Sequence, residues 1–177
     1  ELIGPDCQNQ ASGWTRTTKR EDAELLNNVI VHTSSSWPHA IRIGGDLNGA
    51  SDGRVRMVGN TILFDRAGAG TAVYVQLGAG SVEMHNNAIF QTGGTAPAIL
   101  RENTTADSPV CAPFTTAPWS GARSVSGTRN WVQTGASFVP PEWTGTVSGA
   151  DPGFRNLAAR DLRPSATSPL RNAGSNR

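Results

Sequence analysis

The side chains able to do chemistry in this chain are few, and most stand alone. One turn, GGDLNGASDG at residues 44–53, gathers the oxygens of Asp46, Asn48 and Asp52, a set suited to a hard divalent cation. It lacks the glutamate of an EF-hand loop, and a turn rich in turn-forming residues is its other reading. His32, His39 and His85 show no His-x-x-x-His spacing, so zinc is not indicated. The run AGAG at residues 67–70 has no phosphate-loop lysine, and no Gly-x-Ser-x-Gly elbow is present. Arg42 and Tyr74 are different. Each is the polar member of a short alternating segment, HAIRIGG (39–45) and TAVYVQL (71–77).

The elements that hold these residues are short strands. The chain has 177 residues, which points to one domain, and its 20 glycines and 11 prolines punctuate it too often for a helical bundle. No stretch reaches the ~18 apolar residues of a membrane helix, and no signal peptide opens the chain. Fifteen basic residues against 14 acidic ones leave no basic stripe, so neither nucleic acid nor membrane is expected as a partner. Lys19 is the only lysine. Cys7 and Cys111 are far apart and in no metal spacing; a disulfide in an exported protein and two unpaired thiols both remain open.

An internal repeat organises the chain. Residues 55–65 read VRMVGNTILFD and residues 82–92 read VEMHNNAIFQT. They share Val55/Val82, Met57/Met84, Asn60/Asn87 and Ile62/Ile89 without gaps. An earlier copy is AELLNNVIVHT (23–33), and a degenerate later one is VSGTRNWVQTG (125–135). Asn28, Asn60, Asn87 and Asn130 form one column. Apolar alternation before each Asn, and its resumption after, places the Asn at a bend between two strands. Asn tolerates left-handed backbone geometry, and stacked copies can form an amide ladder. Three strands and three turns make one circuit. In-phase copies require like to stack on like, which a parallel solenoid provides and an antiparallel sandwich does not. Four circuits at about 4.8 Å each make a stack about 20 Å tall.

The stacking makes face-by-face expectations. Glu24, Arg56, Glu83 and Ser126 form an outward column whose alternating signs make an ion-pair ladder rather than a groove for a charged ligand. Leu26, Val58, His85 and Thr128 form a second outward column, and its apolar start implies a cover over the first two circuits. The N-terminal segment and a long insert at residues 102–123 are candidates for that cover. On the third face, Arg42, Tyr74 and Ala98 should align, with Gly44, Gln76 and Leu100 beside them and Val75 and Ile99 inward.

Residues 53–101 resemble the right-handed parallel β-helix proteins, the group that includes pectate-lyase-like polysaccharide lyases. The tail adds to this: ADPGF (150–154) and SPLRNAG (168–174) resemble the ending of many secreted β-helix proteins. The resemblance implies an all-β fold, a right-handed parallel β-helix of about four coils with three short parallel sheets. The whole chain, 1–177, is then one domain, with recognisable coils at 23–135 and a capping tail at 150–177. It also implies export to the secreted, periplasmic or cell-surface space.

The implied activity is β-elimination on an acidic, uronate-containing polysaccharide. A cation must neutralise the uronate carboxyl so that the C5 hydrogen becomes acidic, a base must take that proton, and an acid can protonate the leaving oxygen. On this resemblance Arg42 and Tyr74 are the first catalytic candidates, His39 and Lys19 further ones, and Gln76 and Arg101 substrate contacts. Calcium at Asp46, Asn48 and Asp52 is the implied cofactor. Because the fold hosts lyases, hydrolases and inert adhesins, a non-catalytic glycan-binding or structural module is the alternative. A solenoid needs caps at both ends, and the polar N-terminal residues offer no amphipathic helix. The expectation is therefore the C-terminal portion of a longer β-helix, or two chains stacked end to end.

Overall fold

The computed structural model describes residues 22–43, 53–75, 80–102, 124–171 and 173–174. Its described part is all-β and without helix. The first circuit holds β1 (Ala23–Leu26), β2 (Val29–His32) and β3 (His39–Ile43); the second, β4 (Arg54–Val58), β5 (Thr61–Phe64) and β6 (Thr71–Val75). The third holds β7 (Ser81–His85), β8 (Ala88–Gln91) and β9 (Ala98–Glu102); the fourth, β10 (Val125–Thr128) and β11 (Trp131–Gln133). Then come β12 (Trp143–Thr144) and β13 (Val147–Gly149), and a terminal hairpin of β14 (Phe154–Asn156) and β15 (Asp161–Pro164).

The chain visits three parallel sheets in turn. They run β1-β4-β7-β10-β12, β2-β5-β8-β11-β13 and β3-β6-β9. Equivalent residues sit opposite one another, Val55 against Val82 and Ile62 against Ile89. The third sheet gains a fourth rung at Ser137 and Phe138, whose carbonyls accept from the N–H groups of Ile99 and Leu100. Parallel sheets stacked in register, entered in a fixed order, are compatible with a β-helix.

Alternation puts Met57, Met84, Ile62, Ile89, Val73 and Val75 into one continuous core. At ~25 cal/mol per Å² of apolar area, this burial is the main stabilising contribution. The segments TILF and AIFQ do not alternate, and both of their faces are covered. Leu63 and Phe90 point away from the core and pack with Trp131 against Phe154, Leu157, Leu162 and Leu170 of the C-terminal segment. The tail therefore lies along the outer face of the second sheet. The Phe90 and Phe154 rings are 5.2 Å apart, and Arg160 reaches Asp65 at 3.2 Å.

The Asn column is an amide ladder. Asn28 Nδ2 donates to Asn60 Oδ1 at 3.1 Å, Asn60 Nδ2 to Asn87 Oδ1 at 3.0 Å, and Asn87 Nδ2 to Asn130 Oδ1 at 2.9 Å. Each receiving oxygen also accepts the backbone N–H of the Asn that donates to it. The second amide hydrogens of Asn60, Asn87 and Asn130 go to the carbonyls of Leu25, Met57 and Met84.

Four sequence expectations need correction. The left-handed residue of each bend is not the ladder Asn but the residue before it: Asn27, Gly59, Asn86, Arg129 and Gly145 all have φ between 51° and 69°. The ladder Asn is thereby free to turn its amide along the stack. Second, a short fifth circuit exists, with Gly127 opposite Trp143 and Trp131 opposite Val147. Gly127 occupies the Met57–Met84 column, and a Cβ there would meet Trp143 Cδ1 at 2.5 Å. The Trp fills that space, which is why the fourth copy looks degenerate.

Third, the column beginning at Leu26 is covered at the other end. Leu26 is 48% exposed, whereas His85 is 4% exposed and bonds Thr128 Oγ1 through Nδ1 at 2.9 Å. Fourth, Tyr74 faces Arg101, not Ala98; Ala98 lies opposite Thr71 and Leu100 opposite Val73. Ile99 is buried in the core as expected, but the residue opposite Val75 is Glu102.

Candidate functional site

The third sheet carries the candidate residues. β3, β6 and β9 are five-residue strands; on β3 and β6 Arg42 and Tyr74 stand outward between two buried positions, and on β9 exposed Arg101 follows buried Leu100. That places Arg42 opposite Tyr74 and Tyr74 opposite Arg101, on three consecutive rungs. At about 4.8 Å per rung, the two arginines flank the phenol at one strand spacing each. Beneath them Ile41, Ile43, Val73, Val75 and Leu100 anchor the strands in the core.

His39 joins this line through its ring. Imidazole and phenol stack with centroids 4.3 Å apart and planes 10° from parallel. Burial holds the His39 pKa below its usual 6.5, and the positive charge of Arg101, with smaller effects from His32 and Arg66, lowers it further. Its imidazole is therefore neutral at pH 7, and Nδ1 is buried without a hydrogen-bond partner. His32 lies on the neighbouring strand β2, its ring 5.4 Å from that of Phe64, and burial followed by Arg66 lowers its pKa too.

Arg66 fixes the corner between the second and third sheets. It donates to the carbonyls of Trp37 at 3.0 Å and Ser35 at 3.2 Å. Ser34 Oγ accepts from the N–H groups of Ser36 and Trp37, both at 3.3 Å. At the far end of the line, the Arg101 guanidinium lies 4.7 Å from the centre of the Phe138 ring.

The structure thus brings together Arg42, Tyr74, His39 and Arg101. Lys19, Gln76, Asp46, Asn48 and Asp52 lie outside the described residues, as do Cys7 and Cys111. Among the described residues no three His, Cys, Asp or Glu side chains converge as a metal site, and no helix is long and apolar enough to cross a membrane. Sequence reasoning missed Phe138, His32 and Arg66. No local pattern marks them; only the folding of one circuit onto the next makes them neighbours of the line.

On the first sheet the charged column forms as expected. Glu24, Arg56 and Glu83 are in register, with Arg56 3.3 Å from Glu24 and 3.9 Å from Glu83. Arg54 adds a pair with Asp22 at 2.9 Å. These charges satisfy one another at the surface.

No family model, curated protein or solved structure matches this chain. The chemistry of the third sheet therefore has to be read from its own residues. Two guanidiniums can bind carboxylates in a bidentate manner, the neutral imidazole can accept a proton, and the phenol can donate one.

Proposed function

We propose that this chain is part of an exported, right-handed, pectate-lyase-like parallel β-helix that cleaves an acidic polysaccharide by β-elimination on the outer face of its third sheet. The observation that carries the reading is the single line Arg42–Tyr74–Arg101 across three adjacent strands, with His39 stacked on the phenol. A uronate chain laid along this line meets a guanidinium on either side of the reacting sugar.

In this reading Arg42 and Arg101 bind carboxylates and so make the C5 hydrogen of the bound uronate acidic. Neutral His39 takes that proton. The electron pair forms the C4–C5 double bond, the C4–oxygen bond breaks, and Tyr74 protonates the departing oxygen.

The test is ultraviolet absorbance of the unsaturated product during incubation with uronate polysaccharides, with and without added calcium. A rise that Arg42→Ala lowers about 100-fold supports the reading. Binding of the polysaccharide without any rise would make the chain a glycan-binding module instead. Neither binding nor turnover would end the proposal.

A further inference from the structure

Beside the fourth rung of the third sheet lies a hollow of about 360 Å³, lined by Leu100, Glu102, Phe138, Val139, Pro140 and Pro141. Phe138 is unusual on two counts. It is 58% exposed, and it holds a left-handed backbone with φ 53°. A bulky aromatic residue rarely adopts that conformation, because its Cβ crowds the backbone. The surrounding structure imposes it: the Leu100 N–H binds the Phe138 carbonyl at 3.2 Å, and the neighbouring Ile99 N–H binds that of Ser137 at 2.8 Å. Strain held in place at an exposed side chain is an observation from which function can be argued.

We infer that the hollow is a subsite for an uncharged sugar ring, so that the substrate is a mixed glycan in which a uronate adjoins a neutral sugar. The inference rests on the acidic-glycan reading above and specifies its substrate class. The apolar lining suits the C–H face of a pyranose, for which Phe138 offers an aromatic surface. The one charged residue of the lining is Glu102, whose carboxylate disfavours a second carboxylate in the hollow. The Glu102 carboxylate accepts hydrogen bonds from sugar hydroxyls. Arg101 links the two subsites: it stands opposite Tyr74 in the uronate line and lies over the Phe138 ring.

The experiment is titration calorimetry of the whole chain with two oligosaccharides of equal length, one of uronate only and one alternating uronate with a neutral sugar. Phe138→Gly is the variant, because glycine removes the ring and accepts the left-handed backbone, and a melting curve confirms that it folds. The expected result is about 10-fold tighter binding of the alternating ligand by the wild type. In Phe138→Gly that preference is lost, whatever the change in affinity for the uronate-only ligand. Equal or weaker binding of the alternating ligand, or equal weakening of both ligands in the variant, overturns the mixed-glycan inference alone. Binding of neither ligand by the folded wild type overturns the acidic-glycan reading as well.

Discussion

Two columns of polar side chains climb the same circuits side by side. Asn28, Asn60, Asn87 and Asn130 form one; Glu24, Arg56 and Glu83 form the other. Both are in register and both bond from rung to rung. The inner column is almost entirely sealed: Asn60, Asn87 and Asn130 are buried, and each donates and accepts within the stack. The outer column stands in water, its side chains roughly half exposed. The same repeat geometry thus makes a structural spine in one place and a weak surface lattice in the other. What separates them is the cost of leaving a group without a partner, which is high only where water cannot replace that partner.

The sharpest way to break this comparison is Asn87→Ala. It leaves the Asn60 backbone N–H and one Asn60 amide hydrogen without their acceptor, takes a donor from the Met57 carbonyl and from Asn130 Oδ1, and should cost about 3–5 kcal/mol in urea unfolding. A loss below about 1 kcal/mol would mean that the spine is no more than a lattice. Asn28→Ala, at the exposed end of the same ladder, should cost only about 1 kcal/mol, so the two variants measure how burial grades the effect. Arg56→Ala should change stability by no more than about 0.5 kcal/mol, with any change fading in high salt.

The remaining predictions follow protonation. His32 and His39 have native pKa values lowered below 6.5, so the unfolded chain binds more protons than the native one just below that value. Stability should hold above about pH 6.5 and fall as the pH drops below it, until the native imidazoles themselves protonate. His39→Gln should flatten that fall in pH-dependent melting curves. Asp161 is the counterpart at the surface. Hydrogen bonds from Arg163, two of them at 2.7 Å, hold its carboxyl down to about 2. NMR titration should find it there, and Arg163→Ala should return it toward the usual 3.8. Any stability it contributes is present above about pH 3.8 and declines as the pH falls toward 2.

Much of this architecture was legible in the spacing of residues. The 27-residue offset that sets Asn60 on Asn87 also sets Tyr74 on Arg101, and the 32-residue offset of Asn28 and Asn60 sets Arg42 on Tyr74. Matching apolar letters instead of holding the offset constant is what put Ala98 opposite Tyr74. The fifth circuit escaped because Gly127 and Trp143 replace the methionine column with a complementary pair, and no Asn marks it. The position of the tail was written less openly, in the failure of TILF and AIFQ to alternate, since a strand buried on both faces has no polar side to show. The hollow beside Phe138 had no sequence mark, because its walls come from separate segments and its strained φ from contacts between circuits.

The amide ladder has a head and a tail. Every amide-to-amide bond in it runs from the earlier circuit to the later one, N–H toward oxygen. The stack is therefore a vector. The Asn28 end presents an amide oxygen, and only a donor continues the ladder there. Two copies meeting by that same end would set oxygen against oxygen, so growth of the ladder can proceed only in single file, each unit facing the same way.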